Sequence, residues 1–216
     1  MTFFRASLLF GAVALLLALG AAAAELPPPI DFPKPKLDSQ ATLVQALKAR
    51  KSAREFSPTP LLPQALSDLL WAANGVNRED GRRTAPSAKN WQEIDVYVVL
   101  REGVYLFDAK AHTLHGVLKG DVRSLTGVQD FVGGAPVNLV FVADLSRMAG
   151  TSPEDRDRYA ATDAAFVSQN VYLWCAASGL STVVRGSLDR PAFGKAVGLR
   201  PEQRIILAQT VGSPKR

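Results

Sequence analysis

The order of apolar and polar positions divides the chain into predicted helices and strands. Apolar residues recur at helical spacing from about residue 41 to Lys51–Ser52, from Pro63 to Asn74-Gly75, over 154–178 and over Asp189–Val197. Continuous or alternating apolar runs predict strands over 94–100, 104–109, 135–144, 181–186 and 204–212, the first two joined by a tight Glu102-Gly103 turn. Helices and hairpins mix without a strict βαβ alternation, so the sequence predicts an α+β fold.

Several local features of this pattern make checkable predictions. Leu43, Val44 and Leu47 recur at the spacing of an apolar helix face. Asn74-Gly75 predicts a left-handed stop at the end of the second helix. The run over 135–144 is apolar on both faces, which is typical of a central strand.

The first 24 residues have the pattern of a secretory signal peptide. One basic residue, Arg5, precedes an apolar run, and alanines 22–24 provide a cleavage site before Glu25. We therefore expect an exported, periplasmic or secreted protein, with an uncleaved membrane anchor as the alternative. Residues 25–40 are rich in proline and predict an extended linker, which leaves 41–216 as the domain.

Charge and cysteine content restrict the function. The net charge of +5 becomes +4 without Arg5, a mild excess that suits an anionic small molecule better than nucleic acid. Cys175 is the single cysteine, so an intramolecular disulfide is impossible, and its apolar setting predicts a core residue. His112 and His115 lie three apart, but the pattern around them predicts hairpin positions rather than a metal site.

Positive charge is concentrated after the first helix. Four basic residues and a serine lie within seven positions: Lys48, Arg50, Lys51, Ser52 and Arg54. Cations at a helix end are favoured by the helix dipole, so a solvated helix end is one interpretation. The other is a phosphate site, because guanidinium groups and a hydroxyl match phosphate oxygens.

Three further segments fit a planar, phosphorylated ligand. "APSAKNWQ" places short polar groups just before a strand, where they could bind the edge of a heterocycle. "GLSTVVRG" has a glycine at each end of an extended stretch, which allows close packing against main chain. "GSPKR" adds two cations at the end of the sequence.

Together and in this order, these segments resemble the nitroreductase family of FMN-dependent enzymes over residues 41–216. Residues 50–56 resemble the family's Arg-Arg-Ser-x-Arg-x-Phe, and 86–93 resemble Pro-Ser-x-x-Asn-x-Gln-Pro. Residues 159–189 resemble its long helix and flavin-facing segment, and "TVGSPKR" resembles its closing turn. The resemblance implies a sandwich with a central, mainly antiparallel sheet flanked by helices.

The resemblance implies how FMN would be held. The phosphate and ribityl chain would be bound by Arg50, Lys51, Ser52 and Arg54, with Lys215 or Arg216 completing the phosphate shell. Two departures from the family pattern matter here. Lys51 replaces the second arginine and lacks the planar fork, and Glu93 replaces the usual proline, which would put a carboxylate near the pocket mouth.

The resemblance also implies contacts to the flavin ring. Asn90, with Ser87 nearby, would bind the pyrimidine edge or ribityl hydroxyls, across the interface of a homodimer. Val184, Arg185 and Gly186 would line the isoalloxazine ring, with a backbone amide of Arg185 or Gly186 facing flavin N5. No side chain would act as an acid or base, because the chemistry belongs to the flavin.

The expected activity is hydride transfer from NAD(P)H, through flavin N5, to a small organic acceptor such as a nitro or quinone compound. Two alternatives stay open from the sequence. Residues 103–123 resemble the branch that oxidises azoline rings, so a flavin oxidase or dehydrogenase that uses oxygen is possible. A non-catalytic, exported binder of flavin or another small ligand is the alternative from a different class.

Overall fold

The computed structural model describes residues 25–38 and 40–215, so the predicted signal peptide and Arg216 lie outside the described residues. Four helices are α1 Leu43–Ala49, α2 Pro63–Asn74, α3 Pro153–Ser178 and α4 Arg190–Val197. Seven strands are β1 Ile30–Asp31, β2 Ile94–Val99, β3 Gly103–Asp108, β4 Thr113–Lys119, β5 Val137–Asp144, β6 Ser181–Arg185 and β7 Gln203–Gly212. They form one sheet in the order β1-β4-β3-β2-β5-β7-β6, and every neighbouring pair is antiparallel. The predicted α+β class is confirmed.

The interior strands are covered on both faces of the sheet. All eight residues of β5 are buried, and the strand lies between β2 and β7. Successive side chains of a strand point to opposite faces, so Leu139 and Phe141 join the core under α2 and α3 while Val140 and Val142 join the core on the α4 side. Burial on both faces explains the unbroken apolar run and confirms the predicted central strand.

Helix α3 is the long scaffold on which the candidate site is built. Ser152 caps its first turn by accepting a hydrogen bond from the Asp155 amide, and Pro153 occupies the first turn. Gly179 ends it with a left-handed φ of 70°. The buried Val167 and Val171 hold the helix against the sheet. Both predicted ends of this helix agree with the structure.

The proline-rich segment before α1, which the sequence predicts as a linker, contributes an edge strand to the sheet. Ile30 and Asp31 pair with Leu114 and Thr113 of β4. The outer edge of β4 would otherwise leave its amides and carbonyls unpaired, and this non-local requirement is invisible in the proline pattern. No helix in the described part of the chain is long and apolar enough to cross a membrane.

The helix predicted from the spacing of Leu43, Val44 and Leu47 is present as α1, although these side chains are 65, 59 and 53% exposed and α1 buries Ala46 instead. One local prediction was wrong. Gly75 has an extended conformation with φ −75° rather than a left-handed one. A side chain at Gly75 would lie 2.6 Å from the Trp71 ring, so glycine is needed there for space.

Candidate active site

The segment that follows α1 is fixed against the start of β6 and the residue that follows β7. The Ala53 amide donates to the Thr182 carbonyl over 2.9 Å, and the Ser57 amide donates to the Ser213 carbonyl over 2.9 Å. Phe56 also forms an isolated bridge with Pro214. These backbone bonds bring three of the four segments singled out in the sequence, at 50–56, 181–186 and 213–215, to one place.

The cations at this place have no carboxylate partner among the described residues. Helix α1 ends at Ala49, so Lys48 lies in its last turn while Arg50, Lys51 and Arg54 follow the helix, and the four do not form one helical face. The Arg50 guanidinium lies 5.4 Å from the centre of the Tyr172 ring. Lys51 and Arg54 are exposed, and no ion pair with a described acid involves them. Their charge is therefore available to an anion from solution.

Tyr172 of α3 connects the basic segment to β6, and the sequence analysis missed it. Its hydroxyl lies 2.8 Å from Ser52 Oγ in a hydrogen bond, and it accepts a second bond from the Val184 amide over 3.0 Å. The residue is 7% exposed. In the sequence it is one aromatic residue in an apolar helix, and only the approach of two distant segments gives it a role.

A cleft of about 250 Å³ opens between the ends of α1, α3 and β6. Its lining includes small side chains and main chain from Ala53, Gly179 and Thr182, together with Lys51, Tyr172 and Pro214. Lys215 follows directly and is exposed. A cleft of this volume, with small walls and Lys51 in its lining, has room for a phosphate group.

At the end of β6 the side chain of Arg185 points into the protein. The guanidinium donates to the Thr126 carbonyl and, over 2.9 Å each, to Asn138 Oδ1 and Thr210 Oγ1. Burial away from water lowers the pKa of Arg185 to about 10. A Cβ atom at Gly127 would overlap with its Nη1 atom, so this approach requires glycine.

A ligand at this edge can therefore meet only the main chain of Arg185. The Val184 amide is already bonded to Tyr172. Gly186 is exposed, and a Cβ placed on it would meet no atom within 4 Å. The open space is at Gly186, where the resemblance implies a ligand-facing amide.

The loop that carries Ser87 and Asn90 is held by hydrogen bonds to its own chain and to α3. Ser87 Oγ accepts from the Gln92 amide over 2.8 Å and donates to Glu93 Oε2 over 3.0 Å. The Ala88 amide donates to Asp163 Oδ2 over 2.8 Å. Asn90 is exposed and has a left-handed φ of 56°.

Within one chain, this loop and the basic segment lie at different positions along α3. The loop contacts Asp163 and the basic segment contacts Tyr172. Nine residues separate these contacts, which is about 13 Å along a helix axis. No described hydrogen bond joins Ser87 or Asn90 to the cations.

Glu93 is buried beneath the loop rather than lying near the pocket mouth. It is 0% exposed and lies against Asp163, which is 2% exposed. Burial, followed by the charge of Asp163, raises the pKa of Glu93 to about 7. Oε1 of Glu93 has no other hydrogen-bond partner, and a proton shared with Asp163 would satisfy it. The glutamate that replaces the family proline therefore belongs to a buried carboxyl pair.

Comparisons with known proteins agree with this geometry. Residues 47–213 match the model of the Nitroreductase family. A curated protein of Methanocaldococcus jannaschii, named "Putative nitroreductase MJ1384", is 33% identical over 155 residues, which cover 67% of this chain and 78% of that protein. The family match and this relative show that the chain belongs to the nitroreductase family of oxidoreductases.

Solved structures show the same fold. A crystal structure from Ralstonia eutropha, described as "a putative nitroreductase", has a TM-score of 0.83 and 44% identity. The match covers 87% of this chain and 90% of the other. The NADPH:FMN oxidoreductase of Vibrio harveyi in complex with NAD+ has a TM-score of 0.59 and 20% identity, covering 81% and 69%. A chain of the Escherichia coli microcin synthetase McbBCD complex has a TM-score of 0.67 and 18% identity, covering 96% and 85%. The last two similarities concern the fold alone.

Proposed function

We propose that this protein is an FMN-dependent oxidoreductase that passes hydride from NAD(P)H to a small organic acceptor such as a nitro or quinone compound. The observation that carries the proposal is the group of cations after α1 that have no described acid partner and are fixed by backbone bonds beside the start of β6. Membership of the nitroreductase family supports a redox role for that place. A solved structure with the same fold is described as the NADPH:FMN oxidoreductase of Vibrio harveyi, and we carry its cofactor and reductant over to this chain as part of the proposal.

The residues present fit FMN. Arg50, Lys51, Ser52 and Arg54 would hold the phosphate and ribityl chain, and exposed Lys215 would add charge, with Arg216 beyond the described residues. Cations without an acid partner leave their donors for phosphate oxygens. The uncrowded main chain at Gly186 leaves room for a flat ring. Bound FMN would supply the hydride-exchanging atom N5, so no acid or base is required from the protein.

We further propose that two copies of the chain complete the site. Leu43, Val44 and Leu47 of α1 are exposed, and Leu43 lines a groove of about 420 Å³ together with Trp71 and Trp174. An apolar patch of this kind is typical of an interface. Because the Ser87–Asn90 loop and the basic segment lie at different positions along α3, a partner protomer could supply the loop that binds the flavin edge. This makes the functional form a homodimer.

The cellular location of the protein is a separate proposal. The pattern of residues 1–24 supports export, so we propose a periplasmic or secreted protein whose signal peptide is removed after Ala24. The mass of the protein recovered from the periplasm or medium tests it. We expect the mass of a chain that starts at Glu25. A full-length chain found in the membrane would contradict the proposal.

An absorption spectrum tests the activity. The purified protein is mixed with FMN, excess flavin is removed, and NADH or NADPH is added without oxygen. We expect a yellow protein that bleaches. A yellow protein that does not bleach would contradict the nicotinamide-dependent reductase and favour either the azoline-type oxidase, which its own substrate would reduce, or a flavin binder. A colourless protein would contradict FMN dependence.

A further inference from the structure

A second pocket, distinct from the cleft after α1, lies within residues 77–92. It has a volume of about 420 Å³, and its lining includes Arg78, Arg82, Arg83, Lys89, Ser87 and Asn90. The last two are the residues that would bind the flavin edge. We call it the cationic pocket.

The positive charge of the cationic pocket is poorly compensated. Arg82 pairs with Asp80 over 2.7 Å. Arg78 donates only to neutral groups, the Asn77 side chain and the Arg83 carbonyl. Lys89 Nζ lies 5.1 Å from the centre of the Trp91 ring, in a cation–π contact. Among the described residues, Arg82 is therefore the only one of these four cations that forms an ion pair with a carboxylate.

Arg83 shows the electrostatic consequence. It is half-buried, and its Nε donates to the neutral Gln92 Oε1 over 2.9 Å. Burial lowers the pKa of Arg83, because desolvation disfavours the charged form. The nearby Asp95 is engaged by two hydrogen bonds from Arg147, over 2.9 and 3.0 Å. An anion in the pocket would supply the missing negative charge.

The backbone beside the pocket is held in an uncommon conformation. Lys89, Asn90 and Gln92 have φ values of 49, 56 and 49°, in the left-handed region that non-glycine residues seldom occupy. The Gln92 amide donates to Ser87 Oγ and the Ala88 amide donates to Asp163 Oδ2, and these two bonds maintain this shape. Strain of this kind is characteristic of functional loops, and here it brings Lys89 and Asn90 into one pocket lining.

We propose that the cationic pocket binds the anionic group, a phosphate or a carboxylate, of the small molecule that exchanges hydride with the flavin. The proposal rests on the proposed FMN-dependent function, because the shared Ser87 and Asn90 place the pocket beside the flavin edge only if FMN binds there. The anionic group can belong to the reductant, as in the 2′-phosphate of NADPH, or to a carboxylated acceptor.

Binding can be measured without turnover. Inorganic pyrophosphate is titrated into the purified protein, loaded with as much FMN as it retains, while tryptophan fluorescence is recorded. We expect a saturable change that disappears in Trp91→Phe, because the contact between Lys89 and Trp91 is disturbed when the pocket fills. The double variant Arg82→Gln/Lys89→Gln should raise the dissociation constant at least about tenfold, as expected for the loss of a charge-assisted hydrogen bond. The control Arg101→Gln/Lys195→Gln removes the same charge from two exposed positions elsewhere and should leave the constant unchanged.

The flavin absorbance of the same samples separates the two proposals. Pyrophosphate binding that depends on Arg82 and Lys89 in a protein without FMN would refute the FMN function and support an anion site. Unchanged binding in the double variant, or no saturable change in the native protein, would overturn the pocket proposal. If the double variant loses FMN while the control variant and the native protein keep it, the pocket proposal would also be overturned, because the cations would then belong to the flavin site.

Matched ligands then identify the source of the anion. Rates of flavin reduction by NADPH and NADH, and of reoxidation by a carboxylated quinone and its neutral parent, are compared in the double variant and the control. A roughly tenfold fall in the NADPH-to-NADH preference assigns the anion to the reductant. A similar fall in the preference for the carboxylated quinone assigns it to the acceptor. Equal losses for charged and neutral partners would overturn the proposal.

Discussion

Replacing Glu93 by glutamine should stabilise the protein above pH 7 and have little effect near pH 4. Glu93 is completely buried against Asp163, and its pKa in the folded protein is about 7, against an ordinary value of 4.5. A raised folded-state pKa contributes stability below pH 4.5, and this contribution is lost as the pH rises through 7. Glutamine has nearly the same shape but never ionises, so the variant should not show this loss.

The size of the effect follows from the two pKa values. The difference between about 7 and 4.5, at about 1.36 kcal/mol for each pKa unit, is on the order of 3 kcal/mol. For a protein of this length, each kcal/mol changes the melting temperature by roughly 2–4 °C. The variant should therefore melt on the order of 6–12 °C above the native protein at pH 8, and close to it at pH 4.

Thermal unfolding followed by circular dichroism between pH 4 and 8 measures this difference. Glu202→Gln is the matched control, since Glu202 is exposed and its replacement should give a small, pH-independent change. A constant difference between Glu93→Gln and the native protein over the whole range would refute the reasoning, because Glu93 would then not change its protonation on unfolding in that window.

Three further predictions concern the candidate active site. Arg50→Ala should weaken FMN binding by roughly 10- to 100-fold, the loss of one charge-assisted contact; equal flavin affinity in a titration, with Lys195→Gln as the charge-matched control, would exclude the role. Tyr172→Phe should cost about 1–3 kcal/mol of unfolding free energy in a urea titration, because the Val184 amide loses its acceptor; an unchanged midpoint would contradict this. Leu47→Glu should convert the proposed dimer to a monomer in light scattering with little loss of melting temperature, whereas a native protein that is already monomeric would refute the dimer.

The sequence predicted most of the secondary structure because the governing interactions are local. Proline and acidic residues at the start of α3 and Gly179 at its end determine that helix within a few positions. The apolar run of β5 predicts an interior strand for the same reason. The features that the sequence did not predict depend on contacts with distant parts of the molecule. The exposure of Leu43 depends on what else covers α1, and Gly75 is extended because of the Trp71 ring.

The features of the candidate site can likewise be separated into those predicted from local sequence and those that only the tertiary structure shows. Residue types and their order in the sequence identified the basic segment, the Ser87–Asn90 loop and β6, since phosphate and heterocycle recognition require particular side chains. The tertiary structure alone decided that Tyr172 joins Ser52 to Val184, that the Arg185 side chain is buried, and that Glu93 pairs with Asp163. These are contacts between segments that lie far apart along the chain, or between a loop and a helix. Such contacts depend on how helices pack on the sheet, which no local pattern of residues encodes.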